Sequence, residues 1–295
     1  MISIVLPSLN EGDKLHRTIN GMLPVLPNDA EIIVVDNGST DGSTDKLPND
    51  RRFNKSPHNN VKLIQYDHPI GAAAARNQGA TFAKNDIIIF CDAHIDVAPD
   101  WWIPLVRRLQ NPKVGIVGSG IGSMDDENGA IRYGQRLVAD PTLRPEWLHK
   151  AESRQVCNLG AGCFAMRKET WQNLRFDEGM PMMQFEDTEL CIRAWLMGYE
   201  VWVAHESVIF HYFRTEAPYD TDMTHVWYNM LRLAYLHFND ERLGRVIAGL
   251  RGQGSMALVK LMLDPDLMEL RYKYHQKRVH DDTWLFNKFR GECEV

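Results

Sequence analysis

The stretch Asp86-Ile-Ile-Ile-Phe-Cys-Asp-Ala-His-Ile-Asp96 decides the predicted fold. Its residues 87–90 are all apolar, which is typical of a short strand buried on both faces of a parallel sheet. Asp92, His94 and Asp96 then follow at every second position, a spacing that puts their side chains on one face of an extended segment. Open α/β sheets bind ligands at the carboxyl ends of their strands. We therefore predict that Asp92 and His94 hold a divalent metal; the alternative is an acidic surface turn.

Short apolar runs, polar loops and helical patterns alternate through the first part of the chain. Strands are predicted at 2–6, 31–35 and 61–65, and helices at 14–22 and 71–83. This alternation predicts an α/β fold with a mostly parallel central sheet flanked by helices. The first loop reads Pro7-Ser-Leu-Asn-Glu-Gly12 instead of Gly-x-Gly-x-x-Gly, so the pattern disfavours a dinucleotide-binding domain and a P-loop.

The composition bounds the class of protein. A chain of 295 residues with 44% hydrophobic and 24% charged residues can bury a large core and is of ordinary globular type. The net charge of −6 argues against a nucleic-acid-binding surface. Five cysteines without a Cys-x-x-Cys pair indicate reduced thiols. The N-terminus lacks a signal-peptide pattern, and no apolar run approaches the roughly 20 residues that span a bilayer. We expect a cytoplasmic protein.

Four motifs, in order and spacing, resemble the N-terminal half of family 2 glycosyltransferases of the GT-A fold. They are Val5–Glu11, Val34–Gly42, Gly71–Asn77 and Phe90–His94. Most of that family has Asp-x-Asp in the last motif, whereas the Asp-Ala-His form is similar to the polypeptide N-acetylgalactosaminyltransferases. The resemblance implies a GT-A fold that binds a nucleotide-sugar donor and a metal.

The pair Glu186-Asp187 opens a predicted helix over 185–199. It is similar to the Glu-Asp pair of inverting family 2 enzymes, whose aspartate serves as general base, and this resemblance implies that Asp187 takes the acceptor proton. The galactosaminyltransferases, which retain configuration, carry Glu-Asn at this place. The alternative is an acidic first turn that interacts only with the helix dipole. The chain thus combines the metal motif of one group with the base motif of the other.

Two further segments carry the resemblance into the second half of the chain. Val208–Arg214 contains His-Tyr-Phe-Arg, similar to the His-x-Phe-Arg of the galactosaminyltransferases, which implies that His211 is a third metal ligand and that Arg214 faces the diphosphate. The alternative for His211 is a satisfied core histidine, which is our interpretation of His205. The segment 157–167 brings two glycines into a strand-like run, and the resemblance places it under the donor sugar. The alternative is a bulge without a ligand.

The resemblance implies transfer of a sugar from a UDP-sugar to an unknown acceptor, a glycan, peptide or small molecule, with inversion. Carboxylate and imidazole ligands suit Mn²⁺ better than Mg²⁺, which prefers oxygen alone. A retaining peptide glycosyltransferase is one alternative. A nucleotidyltransferase is another alternative, but it would need a glycine-rich basic loop after the first strand, and this chain has none. A nucleotide-sugar-binding protein without transfer would not need both a full set of metal ligands and a placed carboxylate. The implied catalytic residues are Asp187, Glu186 and Arg214, the metal ligands Asp92, His94 and His211, and the donor-binding residues Pro7, Asn10, Glu11, Asp36, Arg76, Asp92, Ala93, Gly160 and Gly162. The loop that carries Pro7, Asn10 and Glu11 is expected to line the nucleotide pocket mainly through its backbone.

The resemblance ends near Arg214, and helical patterns follow at 224–238, 242–250, 256–263 and 267–274. We therefore expect a GT-A domain over 1–218 and a C-terminal helical extension over 219–295. A basic cluster in this extension predicts a solvated face; the alternative is peripheral contact with a membrane surface or an acidic acceptor. Its members are Arg271, Lys273, Lys277 and Arg278.

Overall fold

The computed structural model describes residues 1–45, 47, 60–126, 129–138, 143–214 and 222–293. Its strands are β1 Ile2–Ser8, β2 Glu31–Asp36, β3 Val61–Gln65, β4 Ile87–Cys91, β5 Ile95–Val97, β6 Val114–Ser123, β7 Gln135–Leu137, β8 Pro145–Trp147, β9 Arg154–Gln155, β10 Cys163–Arg167 and β11 Glu200–His211. One sheet has the order β3-β2-β1-β4-β10-β6-β11-β5, with β9 beside β11, and β7 pairs with β8 in a hairpin.

The N-terminal half of the sheet is parallel, as its sequence predicts. β3, β2, β1 and β4 pair in parallel, and all six residues of β2 are buried. The apolar runs of β2 and β4 have no polar face because helices cover both sides of the sheet. In the other half β10 runs antiparallel to both β4 and β6, so the complete sheet is mixed. The predicted α/β class is confirmed.

Helices flank this sheet and continue to the end of the chain. They are α1 Asp13–Met22, α2 Ala72–Phe82, α3 Ile103–Arg108, α4 Lys168–Leu174, α5 Glu186–Leu196, α6 Met223–His237, α7 Asp240–Gly249, α8 Ser255–Met262, α9 Leu267–Lys277 and α10 Asp282–Lys288. The sequence patterns did not predict α3, α4 and α10, which are six or seven residues long. Periodicity is hard to recognise over two turns.

The C-terminal helices share a core with the sheet. Leu231 of α6 and Leu285 of α10 belong to the same buried cluster as Phe90 of β4 and Ile116 of β6. The domain boundary between residues 218 and 219 stays a prediction. None of the helices among the described residues is long and apolar enough to cross a membrane, and the cytoplasmic location also stays a prediction. Most of the predicted loop over 51–60 lies outside the described residues.

Strand β11 joins two segments that the sequence patterns had separated. It pairs in parallel with β6, and its register shifts between Ala204 and Val208, which face the consecutive residues Ser119 and Gly120. The three extra residues form a bulge. Beyond the bulge, β11 continues to His211, where it also pairs with β5. The bulge thus determines which face of the sheet receives the side chain of His211.

Candidate active site

Two chain segments meet at the carboxyl ends of β4 and β11. The Asp92 amide donates to the Gly162 carbonyl at 3.1 Å, and the Tyr212 amide donates to the His94 carbonyl at 3.0 Å. These bonds bring Asp92, His94 and His211 together, so that one ligand atom from each lies within 4.8 Å of the others. The sequence-predicted ligands are therefore adjacent in the fold.

Asp96 is separate from this cluster. The chain bends at residues 93 and 94 before entering β5, so the extended alternation assumed from the spacing does not hold. The Asp96 carboxylate accepts a hydrogen bond from Nε of Arg17 on α1 at 3.0 Å. Asp96 therefore serves as a pairing partner for α1.

The surroundings of Asp92 favour its ionised form. Burial raises the pKa of Asp92, but the His211 hydrogen bond and the charges of His211, His94 and Arg76 outweigh it and hold this pKa well below its usual range. His211 Nε2 lies 3.1 Å from Asp92 Oδ2. His211 Nδ1 is buried without a hydrogen-bond partner among the described residues. A carboxylate with two imidazoles and an unused nitrogen is a donor set that fits a divalent first-row cation.

Arg76 connects this cluster to helix α5. Its guanidinium donates to Glu186 at 2.7 Å and lies 3.4 Å from Asp92. Burial lowers the pKa of Arg76, yet the charges of Glu186, Asp92 and Asp187 raise it above the usual value. Two buried atoms of this pair, Arg76 Nε and Glu186 Oε2, have no partner among the described residues. The pair therefore retains bonding capacity toward a ligand.

Glu11 acts through its side chain, whereas the sequence predicted mainly backbone contacts for its loop. The buried Glu11 carboxylate lies 3.0 Å from His94 Nδ1 and accepts a hydrogen bond from Arg214. One carboxylate oxygen, Oε2, makes both contacts. Glu11 therefore holds the predicted diphosphate-facing arginine next to the metal-ligand cluster.

These side chains border a cavity of about 360 Å³, the donor-side cavity. Part of its wall is apolar and includes Leu9, Met182 and Phe213. A pocket of this size with a few convergent charged groups suits a small polar ligand. The sequence-predicted residues that line it are Pro7, Glu11, Arg76, Asp92, Ala93, His94, Glu186, His211 and Arg214.

Two other predicted donor-binding residues organise loops and are absent from the lining of this cavity. The Asp36 carboxylate accepts hydrogen bonds from the Ser39 amide at 2.9 Å and the Thr44 hydroxyl at 2.7 Å. Asn10 accepts one from the Thr40 amide at 2.8 Å. Asn37, next to Asp36, lines the cavity instead. Whether Asp36 contacts a nucleotide stays a prediction.

The two predicted glycines flank Ala161, which lines the donor-side cavity. A Cβ atom on Gly160 would lie 2.3 Å from the Trp147 ring, and one on Gly162 would lie 2.9 Å from Ile121. Glycine at these positions therefore allows close packing inside the protein. The predicted contact of this segment with a donor sugar stays a prediction.

Asp187 lines a second cavity of about 360 Å³, the α6-side cavity. Its lining includes Met223 and Trp227 of α6, and Gln184 lines both cavities. Burial raises the pKa of Asp187 to about 7, the Glu186 charge adds to this, and Arg76 opposes it. A carboxylate with a pKa near neutrality can accept a proton at physiological pH. Glu186 and Asp187 thus serve different cavities.

The comparisons with known proteins agree with these features. Residues 3–174 match the family model described as glycosyl transferase family 2. Polypeptide N-acetylgalactosaminyltransferase 11 of Xenopus tropicalis is 28% identical, in a match that covers 81% of this chain and 43% of the relative. Human polypeptide N-acetylgalactosaminyltransferase 3 is 26% identical over 99% of this chain and 49% of the relative. The chain spans less than half the length of these two relatives.

Two solved structures share the fold. A structure of GalNAc-T7 with UDP, GalNAc and Mn²⁺ superposes with a TM-score of 0.77 at 21% identity, covering 98% of this chain and 56% of that one. The mannosyltransferase PcManGT of Pyrobaculum calidifontis, in complex with GDP-Man and Mn²⁺, gives a TM-score of 0.55 at 18% identity, covering 93% and 82%. At these identities the similarity shows the GT-A fold alone.

Proposed function

This chain belongs to glycosyl transferase family 2, and we propose that it is a metal-dependent enzyme that transfers a sugar from a UDP-sugar to an acceptor hydroxyl. The observation that carries the proposal is the cluster of Asp92, His94 and His211, with ligand atoms within 4.8 Å of one another at the edge of the donor-side cavity. The names of the relatives, and the UDP, GalNAc and Mn²⁺ of the GalNAc-T7 structure, support this choice of donor and metal.

In this proposal Asp92, His94 and His211 hold the cation, and their mixed oxygen and nitrogen donors favour Mn²⁺ over Mg²⁺. Bound there, the metal would act as a Lewis acid on the leaving diphosphate. Arg214 adds positive charge where the negative charge of the leaving group develops. Glu11 keeps Arg214 in place through its hydrogen bond.

Asp187 is the proposed general base. Its pKa of about 7 suits proton transfer near neutral pH. Because it lines the α6-side cavity, we assign that cavity to the acceptor, opposite the donor-side cavity. A base on the face opposite the leaving group gives inversion of configuration.

A retaining reaction is the second candidate. It is supported by the similarity to polypeptide N-acetylgalactosaminyltransferases, whose group retains configuration and whose Asp-x-His and His-x-Phe-Arg motifs this chain resembles. Proton NMR of the first product formed from an α-linked UDP-sugar separates the two, because inversion gives the β anomer and retention the α anomer.

The first experiment is calorimetric titration of UDP into the protein with and without Mn²⁺, compared with guanosine and thymidine diphosphates. We expect binding that requires the metal and prefers UDP. Asp92→Asn should abolish the effect of the metal, whereas Asp96→Asn, which changes an aspartate outside the cluster, should leave it intact. UDP binding that is equal with and without Mn²⁺, or equal effects of the two substitutions, would contradict the metal assignment.

A further inference from the structure

The chain enters α5 through a turn with an unusual backbone. Met182, Gln184 and Phe185 have φ angles of 58°, 75° and 69°, in the left-handed region. L side chains rarely adopt this region, and such conformations persist where the surrounding structure holds them. The turn separates the donor-side and α6-side cavities, and Glu186 and Asp187 follow it directly.

Four consecutive carbonyl groups of this turn are held by other parts of the chain. Asn229 of α6 lies with Nδ2 3.0, 3.2 and 2.9 Å from the carbonyl oxygens of Pro181, Met183 and Gln184, and its two N–H groups donate to these three acceptors, so that one N–H is shared between two carbonyls. The backbone amide of Ala72 at the start of α2 donates to the Met182 carbonyl at 2.6 Å. One side chain therefore fixes three of the four carbonyls.

Asn229 is a buried polar residue of α6. Asn229 is fully buried on α6, and the next two residues of that helix, Met230 and Leu231, are buried and apolar. Its Oδ1 atom has no hydrogen-bond partner among the described residues, so the asparagine leaves one polar atom unsatisfied. An unsatisfied buried acceptor lowers stability. The bonds made by its Nδ2 atom are therefore what this residue contributes.

We propose that Asn229 is a positioning residue, which holds the turn over residues 181–184 so that Asp187 points into the α6-side cavity while Glu186 faces Arg76. Asn229 lines neither cavity, so it acts through the backbone of the turn. The kinetic part of this inference rests on the proposed function, in which Asp187 is the base. It also makes α6 a part of the catalytic machinery, although this helix lies beyond residues 3–174, which match the family model.

The test measures Mn²⁺-dependent hydrolysis of UDP-N-acetylgalactosamine and hydrogen exchange of the amides at 182–187 in Asn229→Ala. Misplacement of a reacting group by about 1 Å can lower turnover about 100-fold, so we expect a fall in kcat of about 10-fold to 100-fold. The KM for the donor and the affinity for UDP should change less than kcat, because the metal-ligand cluster and Arg214 lie outside the turn, whereas Met182 and Gln184 of the turn are only part of the lining of the donor-side cavity. Exchange at 182–187 should become faster.

Asn85→Ala is the matched control. Asn85 is also buried and donates from Nδ2 to a carbonyl, that of Ile2 at 2.7 Å, but it lies at the opposite end of β1 from the cavities. It should lower the melting temperature without changing kcat or the exchange at 182–187. If the alanine variant at position 229 does not fold, Asn229→Gln, which displaces the amide by one methylene, takes its place.

The outcomes separate the two proposals. A wild-type protein without metal-dependent hydrolysis contradicts the proposed function, and the exchange data still test the turn. An active wild type with unchanged kcat in the folded Asn229 variant overturns the positioning role. Unchanged exchange at 182–187 overturns the structural step on which that role depends.

Discussion

Helix α5 carries two clusters of buried charge that differ in how completely they are satisfied. At its start, Glu186 pairs with Arg76, and an oxygen of one and a nitrogen of the other remain without partners among the described residues. One turn later, Glu189 accepts hydrogen bonds from Arg193 at 2.6 and 2.7 Å and from His237 at 2.7 Å. The Arg193 guanidinium also donates to two backbone carbonyls.

The pKa of Asp187, which follows Glu186 directly, and the pKa of Glu189 are shifted in opposite directions. The pKa of Asp187 is raised to about 7. Burial raises the pKa of Glu189 too, but the charge and hydrogen bonds of Arg193 and the hydrogen bond of His237 lower it to about 2. Buried charge that is fully paired contributes to holding the fold, whereas buried charge with unused atoms is available to a ligand. The comparison distinguishes the Glu186–Arg76 pair, which belongs to the candidate active site, from the Glu189 cluster, which stabilises the fold.

The largest expected effect is on turnover. Asp187→Asn removes the proposed base with little change in shape, so we expect transfer or donor hydrolysis to fall about 100-fold to 10,000-fold. Binding of UDP with Mn²⁺ should persist, since Asp187 does not line the donor-side cavity. Steady-state kinetics and calorimetry measure the two quantities. Equal loss of both would indicate that Asp187 is structural, like Glu189.

The second expected effect is on stability. Glu189→Gln leaves the buried Arg193 without its counter-charge, and we expect the free energy of unfolding to fall by about 3–5 kcal/mol. Glu186→Gln should lower it by no more than about 1–3 kcal/mol, because Arg76 keeps Asp92 as a partner. Urea unfolding followed by tryptophan fluorescence compares the two variants. Similar losses would remove the distinction between the clusters.

Acid should lower the stability of the protein by protonating Glu189. Because folding lowers the pKa of Glu189 from 4.5 to about 2, its contribution to stability is complete above pH 4.5 and is lost as the pH falls toward 2. Urea midpoints measured across this range should fall more steeply for the wild type than for Glu189→Gln. Parallel curves would show that Glu189 has an ordinary pKa in the folded protein.

The last expected effect is the pH dependence of the reaction. Since the proposed base must be ionised, kcat should rise about tenfold per pH unit below the pKa of Asp187 and level off above about 7. The residual activity of Asp187→Asn should lack this rise. A wild-type profile that is flat between pH 5 and 8, as would follow from an ordinary aspartate pKa of about 3.9, would contradict the raised pKa.

Local sequence patterns predicted the elements that carry their signal within a few residues. β3 has the predicted bounds, and α2 differs from its prediction by one residue at each end. Spacing after the buried strand predicted Asp92 and His94 as metal ligands, whereas His211 was added through a family motif, because it lies more than a hundred positions from His94. No periodicity connects positions at that distance.

The contacts that the sequence did not predict are long-range and polar. Glu11 sits in a loop whose motif suggested backbone contacts, yet its carboxylate holds Arg214. Asn229 occupies a helix, and its partners lie 45–48 positions earlier. A polar residue outside the apolar stripe of a helix is predicted to face solvent. Only the folded arrangement shows that this one is buried against a turn.

The bulge in β11 sets the register of the strand beyond it. Since successive side chains in a strand alternate between faces, a one-residue change in the register of β11 beyond the bulge would turn His211 to the opposite side of the sheet. His205 and Glu206 are partly or fully exposed, so the types of these residues can vary more freely than the number of residues in the bulge. For anyone aligning or engineering such chains, a one-residue gap here is therefore more disruptive than several substitutions, because it changes which atoms reach the metal-ligand cluster.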